Sequence, residues 1–104
     1  MNNRDDEVEK QLQEKGLNAP RLTPTLIDAC VAGVDYHVFP TTQLTVCCIT
    51  LKNGFTVTGE SACASPKNFD KGIGESIAFR NAKDKIWALE GYLLKQKLFE
   101  VGNK

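Results

Sequence analysis

Apolar positions recur at helical spacing from Asn68 to Leu98. Ala78, Phe79, Ala82, Ile86, Leu89 and Leu93 form one stripe, and Ile73, Trp87, Leu94 and Leu98 widen it on the adjoining side. The combined arc exceeds the roughly 100° that one amphipathic packing face requires. One long helix is therefore expected, packed against a sheet and also against something else: a first helix, or a second copy of the chain. Asn68 or Asp70 can cap it. Gly72, Gly74 and Gly91 weaken an isolated helix and point to close backbone approach or to a break in its early part.

Upstream the period changes from helical to alternating. Leu44 to Leu51 is rich in β-branched residues, Asn53-Gly54 supplies the left-handed dihedrals of a tight hairpin, and Phe55 to Ala62 returns as the partner strand. In that return Phe55, Val57 and Gly59 alternate against Thr56, Thr58 and Glu60. Val34 to Phe39 alternates as well, with Val34, Tyr36 and Val38 on one face and Asp35, His37 and Phe39 on the other. Before it, Thr23-Pro24 reads as a cap and first helical position, Leu26, Ile27, Cys30 and Val31 share a face, and Gly33 ends a short helix over 24–32. The expected fold class is α+β: a small antiparallel β-sheet built on a central hairpin, packed against the long C-terminal helix plus a short N-terminal helix. Residues 1–20 read as a polar arm and 21–104 as a single α+β domain.

The chain has 104 residues, which allow one small core. Formal net charge is zero, so no global field draws it to nucleic acid or membrane, and no stretch is long enough to span a bilayer. The charges are segregated: residues 1–40 carry seven acids and four bases, residues 41–104 six acids and nine bases. That asymmetry fits either a basic surface for an anionic ligand or a solvated helix. The N-terminus MNNRDDEVEK is charged throughout, unlike a signal peptide. The four cysteines, Cys30, Cys47, Cys48 and Cys63, show no metal-ligand spacing and read as reduced packing residues of a cytosolic protein; neighbouring Cys47 and Cys48 point to opposite sheet faces, so at most one joins the core.

No catalytic constellation stands out. His37 is the only histidine and has no nucleophile beside it by spacing, so no enzyme activity and no cofactor or metal is expected. On the less apolar side of the long helix lie Gly74, Asn81, Lys85, Ala88 and Tyr92. This stripe reads either as the solvent face or as a nucleotide-like surface, with Tyr92 for stacking, Lys85 for phosphate and Asn81 for hydrogen bonds. Glu75 and Glu90 fall inside the apolar arc and need partners there; Arg80 and Lys97 are the candidates. Nucleic-acid contact through Arg80, Lys83, Lys85, Lys95 and Lys97 is interrupted by Asp84 and Glu90, so nucleic acid is not the expected partner.

The segments LKNGFTVTGESAC (51–63), Pro66 with Asn68-Phe69-Asp70, Ile73-Gly74, Asn81-Ala82, IWALEGYLL (86–94) and YHVFPTTQLTVC (36–47) resemble a family of small tailed-phage proteins. The chain is also similar to the first-described class of Thoeris anti-defence proteins, phage sponges for cyclic ADP-ribose-type signals made by bacterial TIR-domain proteins. That resemblance implies a homo-oligomer, dimer or higher, in the cytoplasm of the infected bacterial host. It implies sequestration of a cyclic nucleotide without catalysis, in pockets at subunit interfaces. It casts Phe69 as the base-stacking ring, Asn81 as the hydrogen-bonding amide, and Arg80, Lys85 and Lys97 as pyrophosphate partners beside Tyr92. The alternatives are a phage accessory protein that binds a host protein through its apolar helix, or a weak nucleic-acid-binding module.

Overall fold

In a computed structural model the chain is described at Glu7, Val8, Lys10, Gln11 and residues 20–102. The arm expected over residues 1–20 lies outside the described residues, save those four helical positions and Pro20. Helix α1 spans Pro24–Ala29, strand β1 Val31–Val38, β2 Leu44–Leu51 and β3 Thr56–Ala62; a 3₁₀ turn at Pro66–Asn68 leads into helix α2, Lys71–Glu100. The strands form one antiparallel sheet in the order β1-β2-β3, so β1 and β3 are both edges. The expected α+β architecture is the observed one.

Local chemistry sets each boundary. Thr23 caps α1 through its hydroxyl, which accepts the Leu26 N–H at 3.2 Å. The helix stops at Ala29, earlier than the Ala32 that the sequence pattern gives. Val31 pairs with Leu51 across the sheet, and ladder pairing of β-branched residues outweighs another helical turn. Gly33 therefore ends no helix; it sits in β1, where the register shifts between Val31 and Gly33. In the β2–β3 hairpin only Gly54 is left-handed, at φ 91°, and Asn53 instead accepts the Phe55 N–H on its side-chain oxygen at 2.9 Å. With Leu51 and Phe55 bonded, this is a three-residue loop. Phe55 closes that loop opposite Leu51 and is exposed, whereas Val57 is buried. Asp70 rather than Asn68 caps α2, accepting the Ile73 N–H at 2.9 Å, and the helix then runs without a break.

β2 shows the cleanest alternation: Thr45, Cys47, Ile49 and Leu51 are buried under α2, while Leu44, Val46, Cys48 and Thr50 line the opposite face. Helix α2 crosses β3 and β2, and Ala78, Ala82 and Ile86 meet Ile27, Cys47, Ile49, Leu51 and Val57 in the core. The helix comes down on Gly59, where a Cβ would lie 2.2 Å from the Ala82 nitrogen and 2.4 Å from the Ala78 oxygen. Gly74 is equally part of the seam, facing Thr45 and Ser61, so it belongs to the sheet contact and not to the polar stripe.

The second neighbour anticipated for α2 is α1, though neither element covers everything. Leu89 and Leu93, both assigned to the apolar stripe, stay substantially exposed, as do Ile73, Phe99 and Val101. An α-helix of this length runs about 45 Å, whereas an eight-residue strand runs about 26 Å, so the C-terminal turns overhang the sheet. Lys83, counted among the basic surface residues, is instead buried; its ammonium sits 2.7 Å from Asp28 of α1 and 5.9 Å from the Phe79 ring centre. Lys83→Met, which keeps the packed stem, is expected to change stability by less than about 1 kcal/mol. Asp28→Ala, which leaves the cation unpaired, should cost about 1–3 kcal/mol in urea unfolding.

Candidate functional site

Two surfaces on the β3 side of α2 and one beside α1 carry the polar and aromatic residues singled out above. The first is a cleft of about 240 Å³ at the N-terminal end of α2. The 3₁₀ turn delivers Phe69 to its wall, and the first turns of α2 supply Ile73, Ile77 and Asn81. Its floor is fixed by two cross-element bonds: the Asn81 amide donates to the Glu60 carbonyl at 2.9 Å, and the Ser61 hydroxyl donates to the Gly74 carbonyl at 3.0 Å. Asn81 keeps its side-chain oxygen and a second N–H for a ligand. Glu60 meets the cleft through its backbone, the Asp70 carboxylate stands at its end as the cap of α2, and the lining holds no Lys or Arg. Such a site accepts hydrogen bonds from amino groups and disfavours phosphate.

The second is a groove of about 510 Å³ between β3 and the middle of α2, lined by Val57, Lys85, Leu89 and two exposed rings, Phe55 and Tyr92. Phe55 is 56% and Tyr92 70% exposed, and both line the groove with Lys85. The third, about 390 Å³, lies between α1 and α2 and holds Arg21, Leu26, Cys30, Glu90, Leu93 and Lys97.

The six residues assigned from sequence thus separate. Phe69 and Asn81 share the cleft, Lys85 and Tyr92 the groove, Lys97 borders the third depression, and Arg80 stands exposed one position before Asn81. Asn81 and Lys85 are one helical turn apart, but Phe69 and Tyr92 are separated by about 30 Å of helix. Sequence reasoning missed Phe55, Glu60 and Asp70. The signal for Glu60 lay in its outward place on the strand that leads into α2; for Phe55 it lay in its position at the hairpin turn.

The ion pairs expected of Glu75 and Glu90 with Arg80 and Lys97 do not form. Spacings of five and seven place one partner off the face and the other about 10 Å along the axis. Glu90 instead faces Cys30, whose thiol is pushed up by burial first and then by the Glu90 charge and hydrogen bond, partly offset by Lys52. Burial, followed by the Cys48 charge, likewise raises the Cys47 thiol. Both shifts oppose the thiolate that a nucleophilic cysteine requires. His37 is exposed, its ring edge-on to Phe39 at 4.6 Å. The other four candidate basic side chains, at 80, 85, 95 and 97, point in different directions around α2, so Lys83's burial leaves them no continuous cationic stripe. Among the described residues no three His, Cys, Asp or Glu side chains converge as metal ligands would, and no helix is long and apolar enough to cross a membrane.

Residues 22–98 match the model of the phage protein family described as N4 Gp49/phage Sf6 gene 66. The chain belongs to this phage protein family. The match begins just before α1 and ends within the last turn of α2, so it takes in the whole sheet, the cleft and the groove. No curated protein and no solved structure matches the chain.

Proposed function

We propose that this phage protein captures a cyclic ADP-ribose-type immune signal, or a related cyclic nucleotide, and holds it unchanged. The observation that carries the reading is the cleft in which Phe69 and Asn81 meet. A ring, an amide and a carboxylate form a reading set for an amino-bearing purine, the amino group donating to Asp70 or to the Asn81 side-chain oxygen. Arg80 and Lys85 flank Asn81 along α2 and are the cations for the pyrophosphate, outside the acidic cleft itself. Tyr92 and Phe55 offer a second stacking surface beyond Lys85.

The cleft measures about 240 Å³, below the roughly 300–1,000 Å³ typical of pockets that enclose a small molecule. One chain therefore grips part of a cyclic dinucleotide-sized ligand, and a second copy closes over the rest, as expected of a homo-oligomer in the infected bacterial cell. Capture needs shape, stacking and charge but no nucleophile. The exposed apolar overhang at the end of α2, with Leu93 and Val101, favours a second reading, in which α2 docks on a host protein.

Titration calorimetry and thermal unfolding with cyclic ADP-ribose and its isomers test the proposal. Saturable binding with a raised Tm is expected, since ligand at about 100 times Kd adds about 2.7 kcal/mol. Phe69→Ala should weaken binding by roughly ten- to a hundredfold, from about 1–3 kcal/mol of lost stacking. A Tm unmoved by every cyclic nucleotide would leave the host-protein reading in its place.

A further inference from the structure

The sheet has two edges, and the fold treats them differently. At β3 the edge is guarded. Helix α2 rests directly on Gly59, and the Asn81 amide occupies the outward carbonyl of Glu60. A second copy pairing on β3 would bring its own α2 to about 4.8 Å from the first, one strand spacing away, where packed helices need about 8–10 Å. Strand pairing with another copy of this chain is therefore excluded at that edge.

At β1 no other described element pairs with the edge. Helix α2 packs on β3 and β2, and β1 is held by β2 and by α1 at its start. The Phe39 N–H donates to the Leu44 carbonyl at 3.2 Å, which fixes the parity of the ladder. Residues in step with Phe39, namely His37 and Asp35, turn their backbone groups toward β2. Val34, Tyr36 and Val38 therefore turn N–H and C=O outward, away from the other described strands. No proline, no lysine and no bulge interrupts this stretch, the register shift lying before it at Val31/Gly33. An unguarded strand edge of this kind is a template for pairing.

The side chains select what pairs with it. Val34-Asp35-Tyr36-His37-Val38 is self-complementary when read antiparallel about Tyr36. In that register Tyr36 lies opposite the partner's Tyr36, Val34 opposite the partner's Val38, and Asp35 opposite the partner's His37. Centring on Asp35 would oppose two carboxylates, and centring on His37 would set Asp35 against an aromatic ring. Only the Tyr36 register places apolar against apolar and acid against base at every pair. Tyr36 is 40% exposed and Val34 and Val38 are half-buried on the α2 side, while Asp35 and His37 are exposed on the other face. Helix clearance is ample: each α2 sits over its own β3, and the two would lie about 24 Å apart across five strand spacings.

We propose that β1 is the surface through which two copies of this chain join, forming one six-stranded antiparallel sheet with Tyr36 on the two-fold axis. The pairing satisfies every outward N–H and C=O of Val34, Tyr36 and Val38 and does not depend on the nucleotide reading.

Sedimentation equilibrium of the full chain at slightly acidic pH, from micromolar to submillimolar concentration and under reducing conditions, tests it. The wild type is expected as a dimer. His37→Asp places a carboxylate opposite the partner's Asp35 twice and should weaken the dimer roughly tenfold. Exchanging the two residues, Asp35→His with His37→Asp, restores the complementarity and should return the dimer to near wild-type strength. Tyr36→Pro removes an outward N–H that takes no part in the β1–β2 ladder, so the ladder survives while the dimer is lost. A wild type that stays monomeric throughout overturns the proposal. So does a dimer equally strong in His37→Asp, or one the exchange fails to rescue.

Discussion

Gly59→Ala is expected to cost at least about 3 kcal/mol, at or above the upper end of ordinary overpacking, and to leave α2 undocked. The added methyl would stand 2.2 Å from the Ala82 nitrogen, 2.4 Å from the Ala78 oxygen and 2.8 Å from the Asn81 carbonyl carbon. All three are helix backbone, so no side chain can rotate aside. Relief requires lifting α2 off the sheet, which uncovers Ile49, Cys47 and Ile86 together. Domains of this size have about 5–15 kcal/mol of stability in total, so the variant should lose its cooperative urea transition or show a midpoint far below wild type. A change under about 1 kcal/mol would mean that α2 does not rest on Gly59.

The second large effect separates the buried half of α2 from its overhang. Ile86 is 0% exposed and touches the sheet core, so Ile86→Ala should cost about 2–5 kcal/mol. Leu93 sits on the same apolar stripe, two turns on, but is 49% exposed. In dilute solution Leu93→Ala should cost less than about 1 kcal/mol. If a second copy covers the overhang, the cost of Leu93→Ala will grow with protein concentration while that of Ile86→Ala will not. Equal costs at low concentration would show that a single chain already buries Leu93.

The contrast explains what could be read in advance. Periodicity identified α2 and the hairpin because burial there follows from spacing alone: Thr45, Cys47, Ile49 and Leu51 alternate, and Ala78, Ala82 and Ile86 repeat with the helical turn. A helical wheel gives each residue an angle but not the point where the sheet ends, so Leu89 and Leu93 looked as buried as Ile86. It also misplaced Lys83, whose burial depends on Asp28 in an element far upstream. The α1–β1 junction failed for the converse reason. Val31 fits both a helix face and a strand, and its cross-strand partner Leu51 decides between them.

The site was legible only in pieces. Phe69 and Asn81 converge because the turn at Pro66–Asn68 folds the chain back against β3, a geometry no spacing along one helix conveys. The same fold-back sets the Asp70 carboxylate, the cap of α2, at the end of the cleft, and lets the Asn81 amide reach the Glu60 carbonyl.

The most direct test is to purify the protein from bacteria producing a cyclic ADP-ribose-type signal, denature it, and record the mass spectrum of what is released. Capture without conversion predicts the intact cyclic nucleotide in stoichiometric proportion to pocket, and its loss from Phe69→Ala. An empty protein from signal-rich cells, or release of a cleaved product only, would contradict it.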